Sequence, residues 1–168
     1  LGLGDVLSFD MGGTTAKLCV AVDAKPEISN QFEAGRVRRF KKGSGLPIMV
    51  PSIDMIEIGA GGGSIAHVAD LGLLNVGPQS SGAVPGPACY ARGGDQPTVT
   101  DADLMLGYLS ADNFLGGQMK LSETAAAGAI GRLADELSMG ASDVAYGIHD
   151  LVNENMASAA RVHIAEKG

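Results

Sequence analysis

Positive charge is scarce in this chain. Twelve Lys and Arg stand against nineteen Asp and Glu, for a net charge of −7 and a pI near 4.8. Phosphate backbones need a cationic surface, so no nucleic-acid partner is expected. The one basic run, Arg36 to Lys42, reads as a solvated strand or loop. Cysteine is scarce too. Cys19 and Cys89 lie far apart and form no metal-ligand spacing. Cys19 falls in an expected strand and reads as a buried thiol. No signal peptide is expected, and these residues hold no apolar run of membrane-spanning length. A reducing cytoplasm is the expected location and no membrane partner is expected.

What is present suits a globular unit. The 168 residues allow one domain or a compact pair of subdomains, with a real core. Apolar residues make up 45 % and charged residues 18 %. The 25 glycines are roughly twice the usual share of about 7 %. They cluster at 12–13, 43–45, 59–63, 93–94 and 116–117, and so mark loops. The sequence starts without Met directly before an apolar strand and stops after a long helical pattern. It is therefore expected to be an internal piece of a larger protein.

Leu7-Ser8-Phe9-Asp10-Met11-Gly12-Gly13-Thr14-Thr15 carries the most functional information. Val6, Leu7 and Phe9 suit a buried strand. Gly12 and Gly13 are free to take backbone angles closed to other residues and let a ligand approach the main chain. Free amides in such a turn form an anion site, and Thr14 and Thr15 add hydroxyls. Asp10 at the strand end suits Mg²⁺. The same residues also suit a plain hairpin turn leading into a strand from Ala16 to Val22. The two readings are compatible.

Further short strands are expected at Val37 to Phe40, Ile48 to Val50, Met55 to Ile58, Ile65 to Val68 and Leu73 to Val76. Helices follow. Thr100 reads as a cap with Asp103 three residues on, and Ser122 to Leu137 is Ala-rich. Ser142 reads as the cap of a final helix. Its stripe is Val144, Ile148, Leu151, Val152, Met156, Ala159 and Val162, with Asn155 and His163 on or near it as satisfied buried polar groups. A strand- and loop-rich part, 1–99, thus precedes a helical part, 100–168, in an α/β or α+β unit.

Two more loops stand out. Gly59-Ala60-Gly61-Gly62-Gly63-Ser64 reads either as a flexible connection or as backbone brought close to a ligand or to the first loop. Asp54, Glu57 and His67 flank it, in a spacing that matches no strong metal pattern. Gly77 to Tyr90 has three prolines and three glycines, which excludes regular structure. Such loops are commonly functional. Cys89 has no nearby His to activate it and reads as a packed thiol. Asp101 and Asp103 read first as helix-start carboxylates and second as a metal–phosphate pair.

Four segments occur in a telling order: Ser8 to Thr15, Glu57 to Ala66, Pro85 to Tyr90, and Pro97 to Leu104. The ordered set resembles the hydantoinase A / 5-oxoprolinase family, which includes acetone and acetophenone carboxylase subunits. That resemblance implies half of an actin-like, ribonuclease H-like ATPase, incomplete at both ends. It implies ATP and Mg²⁺ as cofactors, with Gly12, Gly13, Thr14 and Thr15 holding phosphate. Asp10 would be the catalytic and metal-positioning residue, and Gly61, Gly62 and Gly63 would line the same cleft.

The implied chemistry is ATP-dependent hydrolysis of a carbon–nitrogen bond in a cyclic amide, after phosphorylation of its carbonyl. A hydantoinase B-type subunit would complete the reaction in a hetero-oligomer. A ketone carboxylase subunit and a non-catalytic assembly or nucleotide-sensing module are the alternatives. Lys17 stands where several branches carry an acid, which turns the resemblance away from the oxoprolinases and toward the hydantoinases.

Overall fold

The computed structural model of the chain describes residues 2–34 and 45–166. The basic run at 36–42 and the strand expected at 37–40 lie outside the described residues. Strands come first and helices later, in a mixed α/β arrangement. The chain forms two compact units. One comprises residues 1–10, 17–58 and 158–168, and the other residues 11–16 and 59–157.

The first unit is built on β1 (Val6–Met11), β2 (Ala16–Val22), β3 (Lys25–Pro26) and β8 (Met55–Ile58), in which β1, β3 and β8 all pair with β2. Asp23 and Ala24 both take left-handed backbone and turn β2 into β3. This is the two-residue hairpin geometry that matches strand twist. The Asp23 and Ala24 amides donate to Asp5 Oδ1 at 3.2 Å and to the Gly4 carbonyl at 2.6 Å. Two small ladders complete the unit: β4 (Ile28–Ser29) with β7 (Ser52–Ile53), and β5 (Phe32–Ala34) with β6 (Leu46–Ile48).

The expectation of a buried first strand is corrected. The strand forms, but Leu7 is 45 % exposed and Phe9 43 % exposed. Among the described residues β1 pairs with β2 alone, which leaves it an edge. On β2, Leu18 is buried while Cys19 is only half-buried. Cys19 therefore is not the buried thiol its place in the strand suggested. The strand read at 48–50 is instead β6, ending at Ile48.

The second unit packs helices on a hairpin. β9 (Ser64–Val68) pairs antiparallel with β10 (Leu74–Ser80), placing Val76 opposite Ala66; β10 thus runs, past an irregularity in register, into Gly77–Ser80, where no regular structure was expected. α1 (Val99–Met105) and α2 (Glu123–Leu137) both pack on β9. Ser122 caps α2, its hydroxyl oxygen accepting the Ala125 amide at 3.2 Å. A short turn, Ala88–Tyr90, packs on α1 and α2. There Cys89, Leu104, Leu121 and Ala126 form a buried cluster, with Tyr90, Phe114 and Met119 against it. Each fully buried aliphatic side chain such as Ile130 or Ile148 contributes about 2 kcal/mol.

α3 (Ala141–Ala165) starts one residue before Ser142. Val144, Ile148, Val152, Met156 and Ala159 are buried as the periodicity predicts. Near its end the inward position is His163 rather than Val162, which is 42 % exposed, and Asn155 is exposed. No helix of the described residues is long and apolar enough to cross a membrane.

Candidate functional site

The first glycine turn belongs to the second unit. The Gly12 amide donates to the Thr15 carbonyl at 2.9 Å and closes the turn. Gly12, Gly13 and Thr14 are exposed, and Thr15 is half-buried. Among the described residues, the Gly13 and Thr14 amides donate no hydrogen bond. The turn thus offers two backbone donors and the Thr14 hydroxyl to an anion. Asp10 is exposed on β1, in the first unit.

The second glycine loop lies against the first. The Gly62 amide donates to the Gly12 carbonyl at 3.1 Å, and the Gly63 amide to the Gly13 carbonyl at 2.6 Å. Gly61 and Gly63 are buried. A Cβ on Gly61 would stand 2.8 Å from Gly13, and one on Gly63 would stand 2.9 Å from the Gly13 carbonyl oxygen. Of the two readings of this loop, the approach to the first loop is the one realised.

The physical reason for the glycines also differs from expectation. None of Gly12, Gly13, Gly61, Gly62 and Gly63 has left-handed backbone. At Gly61 and Gly63, glycine is needed because two backbones meet with no room for a side chain, not for unusual backbone angles.

Beneath the second loop lie residues that sequence reasoning placed elsewhere. The Thr100 amide and hydroxyl both donate to the Gly62 carbonyl, each at 2.8 Å. The Ser81 amide and hydroxyl both donate to the Gly63 carbonyl, at 2.9 and 3.2 Å. Thr100 is therefore not the helix cap. Thr98 caps α1, with Asp101 closing a capping box. The pattern Thr-x-x-Asp occurs twice in Pro97 to Asp103, and either frame fits a cap.

Asp101 is fully buried. Its carboxylate accepts from the Ala88 amide (3.2 Å), the Cys89 amide (2.7 Å), the Thr98 amide (2.9 Å) and the Thr98 hydroxyl (2.7 Å). It knots the third loop to the start of α1, which answers the helix-start reading. Burial, with Asp101 second, pushes the Cys89 thiol well above the ordinary cysteine range. A thiol so held is a packing group, as expected, and not a nucleophile.

Asp103 sits apart from this knot. Its Oδ1 lies 2.8 Å from His149 Nδ1, and His149 Nε2 lies 2.9 Å from Asn153 Nδ2. The Tyr108 ring stacks on His149 with centroids 4.7 Å apart. Sequence spacing gave no signal of this cluster, because its members are 46 residues apart. No three His, Cys, Asp or Glu groups gather for a metal among the described residues.

Comparison with known proteins agrees with the ordered motifs. The family model for hydantoinase/oxoprolinase matches residues 1–168. An uncharacterized protein of Methanocaldococcus jannaschii is 45 % identical over 166 residues, which are 97 % of this chain and 24 % of that protein. The caprolactamase alpha subunit of Pseudomonas jessenii is 42 % identical over 99 % of this chain and 23 % of its own length. A chain of the crystal structure of that ATP-dependent caprolactamase superposes with a TM-score of 0.76, over 96 % of this chain and 22 % of that one. The nucleotide-free structure of acetone carboxylase, from work on ATP-dependent acetone carboxylation, superposes with a TM-score of 0.84 at 28 % identity, over 99 % of this chain and 22 % of that one. This chain thus spans less than a quarter of the length of these relatives. It belongs to the hydantoinase/oxoprolinase family.

Proposed function

We propose that this stretch carries the phosphate-binding turn of an ATP-dependent subunit that activates a cyclic amide for hydrolysis. The carrying observation is the Gly12 to Thr15 turn: Gly13 and Thr14 are exposed and, among the described residues, their amides are unspent, while the Gly12 and Gly13 carbonyls are tied down by Gly62 and Gly63. Those donors and the Thr14 hydroxyl fit a polyphosphate oxygen, and the exposed Asp10 carboxylate fits Mg²⁺. ATP supplies the phosphoryl group that makes an amide carbonyl carbon electrophilic and gives it a leaving group.

The residues of this chain bind and orient. Gly13, Thr14 and Thr15 hold phosphate oxygens, and Asp10 places the metal or the attacking group. Gly61, Gly62 and Gly63 act from beneath, by fixing the turn. Positioning and charge neutralisation dominate phosphoryl transfer, so a rigid turn is what the chemistry requires. A B-type subunit completing hydrolysis is part of the proposal, in keeping with the alpha-subunit status of the caprolactamase relative.

The acetone carboxylase superposition favours a second reading, in which the activated carbonyl is a ketone and bicarbonate is consumed. Mg-ATP affinity and ATP turnover of the full-length protein with its partner test the shared part. Asp10→Ala and Thr14→Ala are expected to weaken both, and unchanged values in both variants overturn the phosphate assignment. Lactam-stimulated ATP hydrolysis without bicarbonate favours the hydrolase. Ketone- and bicarbonate-dependent hydrolysis favours the carboxylase.

A further inference from the structure

We propose that Thr100 and Ser81 each head a relay of hydrogen-bonded peptide groups that polarises the Thr14 and Gly13 amides, making the first turn a stronger anion site. The inference rests on the phosphate reading above and names the residues that act on that site from behind.

The Thr100 relay follows from the bonding. Thr100 donates twice to the Gly62 carbonyl. That carbonyl belongs to the same peptide group as the Gly63 amide, which donates to the Gly13 carbonyl at 2.6 Å. The Gly13 carbonyl in turn shares its peptide group with the exposed Thr14 amide. The Ser81 relay is one peptide longer. Ser81 donates twice to the Gly63 carbonyl, and the Ser64 amide of that peptide donates to the Gly61 carbonyl at 3.0 Å. The Gly62 amide of the next peptide donates to the Gly12 carbonyl at 3.1 Å, whose peptide ends in the Gly13 amide.

All of these peptide groups are trans, since among the described residues the cis bonds are Gly77-Pro78 and Val84-Pro85. In a trans peptide the N–H points opposite the C=O. A donor pulling on each carbonyl therefore strengthens the N–H on the far side, and the effects run in one direction. Both relays begin at a residue that spends two donors on one carbonyl. Both end at amides that, among the described residues, have no acceptor.

The two paths make different predictions for two residues, which a general loss of stability does not. Full-length protein labelled with ¹⁵N-glycine and ¹⁵N-threonine reports the amide protons by NMR. Thr100→Val is expected to move the Thr14 amide proton upfield more than that of Gly13, and Ser81→Ala the reverse, with Thr100→Ser restoring the parent shift. In calorimetry with Mg-ATP, each of the two disabling variants is expected to bind about three- to tenfold more weakly, as for one net hydrogen bond. Thr14→Ala serves as the control for the phosphate reading.

Equal movement of both protons in both variants overturns the relays. So does weakened Mg-ATP binding in Thr14→Ala with none in Thr100→Val or Ser81→Ala. Paired shifts with unchanged affinity in all three variants overturn the phosphate reading itself.

Discussion

A methyl group added to Gly61 would stand 2.6 Å from the carbonyl oxygen of Gly12. The obstruction is backbone on both sides, so no side chain can rotate to relieve it. Gly61→Ala must therefore push the two glycine loops apart and stretch the bonds from Gly62 and Gly63 to the first turn. The expected cost is about 1–3 kcal/mol, read from urea unfolding of the full-length protein, with weaker Mg-ATP binding. Gly13→Ala is the contrast. Nothing lies within 4 Å of a Cβ there, so stability is expected to hold while phosphate approach suffers. A Gly61→Ala variant as stable as Gly13→Ala and the parent would show that the loops tolerate separation.

Asp101, in the first turn of α1, ties that helix start to the third loop. Four donors converge on its two oxygens: the Ala88, Cys89 and Thr98 amides and the Thr98 hydroxyl. Asp101→Asn keeps the shape but replaces one acceptor oxygen with a donor NH₂ that faces donors. A buried group left without its partner costs the full desolvation penalty, so a loss of about 3 kcal/mol is expected. Denaturant unfolding monitored with an unfolding-sensitive thiol reagent at Cys89 checks it. A loss below about 1 kcal/mol would mean that the knot is not what holds the third loop.

What was legible in advance follows from how far each signal reaches along the chain. α2 was readable because its cap Ser122 and its buried Ile130 and Leu133 are local. β9 was readable from a short apolar run. The first turn stood out because its glycines and threonines are contiguous. Failures arose where one local pattern has two solutions. Thr98 and Thr100 offer competing capping frames, and the frame with Asp101 prevails because that carboxylate also satisfies two amides of the third loop. Val162 and His163 are neighbours on α3, and burial follows the 152, 156, 159, 163 spacing past the range of the initial stripe. The apolar composition of β1 does not say that it is an edge. The clamps from Ser81 and Thr100 onto Gly63 and Gly62 were invisible because they link segments 18 and 38 residues apart.

The Asp103–His149 pair sets a pH dependence whose sign can be worked out. Burial raises the Asp103 pKa, and the His149 hydrogen bond and charge only partly offset it. A raised carboxyl pKa means that the folded protein holds the proton more tightly than the unfolded chain. The contribution of this group to stability is therefore largest when protonated and falls as pH rises from the ordinary aspartate range through the raised value. Asp103→Asn cannot ionise, yet its carbonyl oxygen still accepts from His149 Nδ1. The variant is expected to lack this downward slope, so its stability relative to the parent improves as pH rises through that window and then levels off. Urea midpoints of both proteins between about pH 3 and pH 7, spanning the carboxylate range, make the comparison. A relative stability that instead falls with rising pH would mean that the ion pair with His149, and not burial, governs Asp103.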